Sequence, residues 1–244
     1  MGQQKIRLCV DQPLHAGQSL GMSEGQAHYL FSVMRLGGGS EVLLFNGRDG
    51  EWAARVDPAG RKGGTALCLH QTQTQAQAPD IWLVFAPVKK ARTDFIVEKA
   101  VELGAARLLP VQTDFTNAER LRRDKAAAHI REAAEQCGAL WLPEVDDLVP
   151  LARLLDRWDP ERRLIWADES AAGASLRPCA QIAGHASGPI AVLVGPEGGF
   201  SERERARLRG LPFVTPVTLG PRILRAETAA LALMALCQAT RGDW

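Results

Sequence analysis

The sequence has no long apolar run. Its longest strongly apolar, uncharged stretch, Thr228 to Thr240, has 13 residues, against about 20 for a helix that crosses a bilayer. The first residues, Met1 to Leu8, lack the apolar centre of a secretory signal. Cysteine is scarce and scattered: Cys9, Cys68, Cys137, Cys179 and Cys237 are odd in number and form no C-x-x-C pair. This argues against a disulfide framework or a zinc site, fits a reducing cytoplasm, and leaves five buried free thiols as the expectation. The histidines, at 15, 28, 70, 129 and 185, show no H-E-x-x-H spacing, so no metal is expected. An excess of one charge is missing too, with 29 Lys and Arg against 28 Asp and Glu. A uniformly basic coat is thereby excluded, but a local basic patch is not, because net charge hides distribution.

The composition that remains is ordinary for a globular protein, 46% hydrophobic and 23% charged, in a chain of 244 residues. That length accommodates one large or two small domains. Two textures follow each other. Lys5–Val10, Glu41–Phe45, Glu51–Val56 and Thr65–Leu69 read as short strands with a turn cluster at Asn46–Gly50, and Ser23 caps a helix over Glu24–Met34. Small β-barrels have this pattern. Gln71–Pro79 is polar and of low complexity. It reads as a linker, placed at 73–79 between domains at 1–72 and 80–244, or else as a surface hairpin within one domain.

Beyond it strands and helices alternate. Strands are expected at Ile81–Ala86, Arg107–Val111, Arg163–Ala167, Ile190–Val194 and Val214–Val217. Helices are expected at Asp94–Leu103 with a Thr93 or Asp94 cap, at Asp124–Cys137, after the Ser201-x-x-Glu204 capping box, and at Ala226–Thr240. This alternation is that of an α/β domain with a parallel sheet covered on both faces. The charge is partitioned along it: Lys89–Arg131 holds ten basic and six acidic residues, Glu132–Gln181 five and ten. The basic segment is a nucleic-acid footprint or two solvated helix faces.

Two loops carry the chemical signal. In Val192–Ser201 a buried strand runs into Gly195-Pro196-Glu197-Gly198-Gly199 and then a capped helix. Ligands of open α/β sheets gather at such strand ends. The loop is neither a P-loop nor a dinucleotide fingerprint, since G-K-[ST] and G-x-G-x-x-G are both missing. The second loop, Leu219–Ala229, turns at Gly220-Pro221 and enters an alanine-rich helix with Arg225 and Glu227 at its start. The helix dipole disfavours a cation there, so Arg225 is read as recruited for a partner. That last helix is apolar almost all round and belongs in a core or a subunit interface.

GPEGGFS followed by LGPRILRAETA resembles the knotted SPOUT-class RNA methyltransferases, most closely the bacterial 16S ribosomal RNA uracil-N3 methyltransferase family. The resemblance extends to Ile6–Val10, His28–Leu30, Val33–Leu36, Leu44–Gly47, Glu98–Gly104 and Glu132–Cys137 with Pro143. It departs at Ala139, where that family commonly has arginine. It implies an N-terminal PUA-like β-barrel, a C-terminal SPOUT α/β domain with a trefoil knot, a homodimer, and S-adenosylmethionine held by Leu193, Gly195, Pro196, Glu197, Gly198, Gly199, Leu219, Gly220, Ile223 and Leu224. The implied reaction is methyl transfer to N3 of one uridine in the 16S rRNA of the 30S subunit. Uracil N3 is protonated and a poor nucleophile, so Arg225 is the candidate to stabilise the uracil anion and Glu197 the weaker candidate to take the proton. Arg7, Arg35, Lys89, Arg92 and Lys99 are the expected phosphate contacts. Trp52, Trp82 and Trp141 stack on bases or pack internally. Ribose methylation on the same fold, a catalytically silent RNA-binding protein, and a Rossmann-type methyltransferase are the competing readings.

Overall fold

The computed structural model describes residues 6–60, 62–118, 120–171, 182 and 188–244. Cys179 and His185 lie outside them. The chain divides into two compact units, one of residues 1–77 with 134–142 and one of 78–133 with 143–244.

The first unit is built on a five-stranded sheet of β1 (Arg7–Cys9), β2 (Ser19–Gly21), β3 (Ser40–Phe45), β4 (Glu51–Ala59) and β5 (Gly63–Gln73), in the order β1-β3-β4-β5-β2. Only the β1–β3 pair is parallel. Period-two alternation buries Val42, Leu44, Ala54, Val56, Ala66 and Cys68 on one face. β5 runs through Gln73, so the beginning of the polar run is strand rather than linker. Gln75 is anchored as well, accepting from the Gly50 amide at 3.0 Å and donating to the Leu140 carbonyl at 2.8 Å.

The helix expected over Glu24–Met34 is a short α1 (Glu24–Ala27), capped by Ser23 with Gln26 in a reciprocal box, followed by a wide π turn over His28–Val33. Leu30 is fully buried and its neighbours Tyr29 and Phe31 pack against the same core. A regular helix turns 100° per residue and cannot aim three consecutive side chains at one core; the extra residue of a π turn brings them together. The turn ends at Arg35 with φ 55°, the only left-handed non-glycine among the described residues.

Arg7 shows why residues 134–142 belong to this unit. Its Nε donates to Glu51 Oε2 at 2.7 Å, its Nη1 to the Ala134 carbonyl at 2.5 Å and its Nη2 to the Ala139 carbonyl at 3.1 Å. Its guanidinium lies 4.4 Å from the Phe45 ring centre. The Cys9 amide donates to Glu135 Oε1 at 2.8 Å. A cation at the carbonyl end of a helix satisfies orphan acceptors and complements the dipole. Arg7 is therefore a buried tie, not a phosphate contact; its side chain is only 9% exposed.

In the second unit the sheet is parallel throughout, in the order β12-β10-β11-β6-β7-β8. Its strands are β6 (Ile81–Phe85), β7 (Arg107–Gln112), β8 (Glu144–Val145), β10 (Arg163–Ala167), β11 (Ile190–Val194) and β12 (Val214–Val217), with β9 (Val149–Pro150) also pairing β7. The helices are α2 (Lys90–Glu102), α3 (Arg123–Cys137, of which residues 134–137 count with the first unit), α4 (Leu151–Asp156), α5 (Glu202–Arg209) and α6 (Ala226–Arg241). The cap expected for α2 is corrected. The helix starts at Lys90, and Thr93 is buried within it, its hydroxyl bonded to Val88. β2, β8, β9 and α4 were not expected, being short and without strong periodicity. Gln238 of α6, fully buried, donates to the carbonyls of Leu103 and Gly104 just past α2. Cys9, Cys68 and Cys237 are buried, but Cys137 is exposed at the end of α3, contrary to expectation.

Glu51 gives this fold a pH signature. Burial pushes its carboxyl up, but hydrogen bonds from Arg7, Thr72 and Gln73 outweigh that and hold it below the ordinary glutamate value. A depressed folded pKa stabilises above the unfolded value of about 4.3 and is lost as pH falls through it toward the folded value. Arg7→Ala leaves a buried carboxylate unpaired and is expected to cost about 3 kcal/mol at neutral pH. In urea unfolding series the gap to wild type should narrow as pH drops below about 4; a gap independent of pH would refute the pairing.

Candidate active site

One cavity of about 230 Å³ sits at the carboxyl ends of β10, β11 and β12. Strand ends supply three sides: Ala167, Asp168 and Glu169 after β10, Val194 to Glu197 with Gly199 after β11, and Thr218 to Gly220 after β12. The loop residues Arg222 to Arg225 and the first turns of α6, through Ala226 and Ala229, complete it. The two glycine-containing loops singled out in the sequence thus meet at one place.

β11 positions the first loop. All five of its residues are buried and pair with β6, and Ile190 to Leu193 pair with β10 on the other side. Beyond it the chain turns through a Gly199 amide to Pro196 carbonyl bond of 2.9 Å. The glycines have internal causes. A Cβ on Gly195 would lie 2.6 Å from the Phe200 ring, which is itself packed edge-on to Trp166 at 5.7 Å between centres. Gly199 has φ +67°, and a Cβ there would strike the Glu169 carboxylate. Gly198 abuts Phe115, where a Cβ would meet the Phe115 Cβ at 3.1 Å. Ser201 caps α5 and closes a box with Glu204. Its hydroxyl also donates to Asp114, and that bond, ahead of the Arg203 contact, holds Asp114 below the usual carboxylate range.

Of the expected cofactor contacts, Gly195, Pro196, Glu197, Gly199, Leu219, Gly220, Ile223 and Leu224 line the cavity. Leu193 and Gly198 do not. Side chains of a strand alternate between faces, so Val194 meets the cavity while Leu193 is buried in the core with Trp166 and Phe200. Ile223 is 80% exposed, an unusual state for a large aliphatic side chain lining a concavity.

The charged residues sort sharply. Arg222 and Arg225 are exposed on the cavity, and neither side chain has a hydrogen bond or ion pair among the described residues. Arg225 occupies the N-cap of α6 without making a cap bond. Glu197 is paired with Arg92 of α2. Arg92 also approaches Glu227 at 3.6 Å, and the second oxygen of Glu227 is buried without a partner. Arg92 is therefore an internal brace between the two loops rather than a free phosphate contact, and Glu197 is committed to that brace. Lys99 is likewise neutralised, with Glu98 and Glu102 each at 2.7 Å, bonds that raise its pKa, Glu102 first. Lys89 and Arg35 are exposed and unpaired among the described residues.

Asp168 and Glu169 are cavity residues that the sequence reading missed. Asp168 is 4% exposed, accepting from Ser170 Oγ at 2.6 Å and Arg209 at 2.8 Å. The available signal was their place directly after an apolar strand, where α/β sheets bind ligands. Trp52 and Trp82 pack internally: Trp52 donates to the Asp49 carbonyl, and Trp82 lies edge-on to Trp158 beneath the Arg162 guanidinium. Ala139 is buried, its carbonyl taken by Arg7. Among the described residues no group of three or more His, Cys, Asp or Glu is placed to hold a metal, and no helix is long and apolar enough to cross a membrane.

A cavity at parallel strand ends, reached by two glycine loops and an unpaired arginine, defines a class that comparison with known families specifies. Residues 75–238 match the RNA methyltransferase domain, and residues 23–66 match the RNA methyltransferase PUA domain. The chain belongs to this RNA methyltransferase family. It is 27% identical to Ribosomal RNA small subunit methyltransferase E of Bacillus subtilis, over 95% of this chain and 96% of that protein. It is 26% identical to the protein of the same name from Rickettsia conorii, over 87% of this chain and 86% of that protein. Among solved structures it resembles Ribosomal RNA small subunit methyltransferase E from Neisseria gonorrhoeae bound to S-adenosyl methionine. The TM-score is 0.85 and the identity 29%, covering 99% of this chain and 100% of that one. A Legionella pneumophila protein solved with bound SAM matches with a TM-score of 0.84 and 27% identity, covering 99% and 100%.

The Gly195 contact is testable. Gly195→Ala should destabilise the protein by about 1–3 kcal/mol through overpacking, and adding Phe200→Leu should recover part of that loss. Thermal unfolding of the single and double variants checks it; additive losses would show that the ring and the glycine are not coupled.

Proposed function

We propose that this chain is an S-adenosylmethionine-dependent methyltransferase that methylates N3 of a specific uridine in the 16S rRNA of the small ribosomal subunit. The observation that carries the reading is the cavity where the loops after β10, β11 and β12 converge on Arg225. Relatives along nearly the whole chain are named for small-subunit ribosomal RNA methylation, and two similar structures hold SAM. A cytoplasmic setting follows from that substrate.

The residues present fit the methyl donor. Val194, Pro196, Leu219, Ile223 and Leu224 offer apolar walls for a purine, and the exposed Ile223 is a surface that such a ring would cover. Backbone groups around Gly195 and Gly220 are unobstructed by side chains of their own. When bound, S-adenosylmethionine supplies an electrophilic methyl group.

The chain's own part is to position the uracil and hold its charge. Losing the N3 proton leaves an anion spread over the ring oxygens, and a fixed guanidinium stabilises charge developing there. Arg225 is suited to this because no carboxylate among the described residues neutralises it. Glu197, tied to Arg92, is the weaker candidate for proton removal.

The proposal includes the family architecture: a PUA-like barrel over 1–72, a linker at 73–79 and a SPOUT domain over 80–244 with a trefoil knot. Two features support the knot. After β12 at the sheet edge the chain returns, and α6 packs back on β11, β6 and α2. A homodimer is supported by the outer side of α6, where Leu231, Ala232 and Ala235 with Phe95 of α2 line a shallow apolar depression. In the N-terminal unit Arg35 is the supported RNA contact. It is exposed, unpaired, and held at a positive φ that costs a non-glycine residue about 1 kcal/mol. Strained backbone of this kind recurs at functional sites.

Arg225→Ala should lower methyl transfer to unmethylated small subunits by about 100-fold or more, with S-adenosylmethionine affinity by calorimetry and thermal stability unchanged. Wild-type turnover in this variant would remove Arg225 from the mechanism. Arg35→Gly should act oppositely on two readouts, raising the unfolding midpoint by relieving the left-handed strain while weakening rRNA binding. Unaltered rRNA affinity would make Arg35 a structural oddity only.

A further inference from the structure

A second cavity, of about 400 Å³, lies beside the first turn of α2 and is assigned no role by the proposed chemistry. Its floor is apolar, with Val97 and Ala126 buried and Val88 and Leu121 partly so. Its rim is cationic: Lys90, Arg120 and Lys125 line it, with Lys89 adjacent in the chain, and none of the four side chains is paired among the described residues. Arg122 also lines it but is held by Asp124 at 2.5 Å. Among the described residues the acidic one lining it is Asp94, which has His129 at 3.7 Å.

This distribution differs from that of the cations nearer the core. Arg92 and Lys99, on the same helix, are each neutralised by two carboxylates. Cations left unpaired around a concavity keep their full attraction for an outside anion, and repel one another until one arrives. Several cations on one rim call for a polyanion. An apolar floor with one carboxylate calls for a flat ring with N–H donors on its edge. A nucleotide of an RNA strand combines both, since unpaired bases are read by apolar contact and edge hydrogen bonds while phosphates set the register.

We propose that this cavity seats a nucleotide of the substrate RNA other than the one methylated, its base on the Val97–Leu121 floor and its neighbouring phosphates on Lys89, Lys90, Arg120 and Lys125. The inference rests on the RNA-substrate reading above. Lys90 and Arg92 share the first turn of α2, and Arg92 reaches Glu197 in the catalytic cavity. The two cavities therefore flank one helix about 10 Å across, a span that a single RNA strand covers in a few nucleotides. Holding a flanking nucleotide would fix which uridine reaches Arg225.

The test measures binding of unmethylated 16S rRNA over a range of salt concentrations, together with S-adenosylmethionine affinity. Lys90→Ala with Arg120→Ala should weaken rRNA binding about tenfold and flatten the log–log salt dependence by about 0.7 per cation removed, with the cofactor affinity unchanged. Ala118→Trp fills the cavity without changing charge. It should weaken rRNA binding at an unchanged salt slope, and Ala118→Leu repeats the filling should the larger side chain unfold the protein. Wild-type rRNA affinity in the double variant overturns the proposal. So does a weakened double variant alongside wild-type binding by both filled variants, since no base would then occupy the cavity. A wild-type protein that binds no rRNA overturns the RNA reading itself, and that result is visible before any substitution is made.

Discussion

Strand β11 exposes nothing. Ile190 to Val194 are all buried, so every backbone donor and acceptor of the strand has to be met by a neighbouring strand. β6 and β10 meet them on both edges, in register from Ile190–Ile81 to Val194–Phe85 and from Arg163–Ile190 to Trp166–Leu193. A strand so held cannot shift by one residue without turning its side chains to the opposite face. The Gly195 loop therefore leaves the sheet at a fixed point. Phe200 then folds back onto Gly195 and packs edge-on against Trp166. The loop's shape is set by packing behind it, which leaves its outer backbone free to face a ligand. The cavity is preorganised because its walls are the ends of strands that have no alternative position.

That arrangement changes how the glycine motif is understood. In the sequence the motif stood out as a strand end where ligands gather. Gly195 and Gly199 are instead required by Phe200, by Glu169 and by a left-handed backbone. The ligand then inherits an open surface rather than causing it. The same separation of roles holds for Glu197 and Arg92, which look like chemistry in the sequence and act as a brace between the β11 loop and the start of α6.

Strands and capping boxes were the most legible features. Arg163–Ala167, Ile190–Val194 and Val214–Val217 have the same limits in the structure, because apolar runs between breakers leave few alternatives. Ser23 and Ser201 cap as expected. Less legible were features decided at a distance. The π turn at His28–Val33 depends on three side chains reaching one core. The allegiance of residues 134–142 depends on Arg7, more than 120 residues earlier in the chain. Lys99 reads as a phosphate contact in the sequence, and its pairing with Glu98 and Glu102 shows only in the fold. At the site, the convergence of the two loops was legible as motif order. The choice between Leu193 and Val194 was not, since it depends on which face of β11 meets the cavity.

The arginines separate into two groups by a physical criterion. Arg7, Arg92, Arg107, Arg162, Arg205 and Arg209 sit where carboxylates, carbonyls or aromatic faces receive them. Arg35 and Arg225 break a local rule instead. One takes the left-handed position at the end of a helical turn, where glycine or asparagine is favoured. The other takes an N-cap, where a side chain that accepts hydrogen bonds is worth about 1 kcal/mol and a cation is opposed by the dipole. Neither side chain recovers that cost through a hydrogen bond or ion pair among the described residues. A fold whose other local choices agree with its packing would not carry two such conflicts without a gain elsewhere. The function proposed above supplies that gain as a bound anion. A near-neutral chain can therefore present local positive charge: Arg7, Arg92 and Lys99 are balanced where they hold the fold together, while Arg222 and Arg225 stand on the cavity without a partner among the described residues.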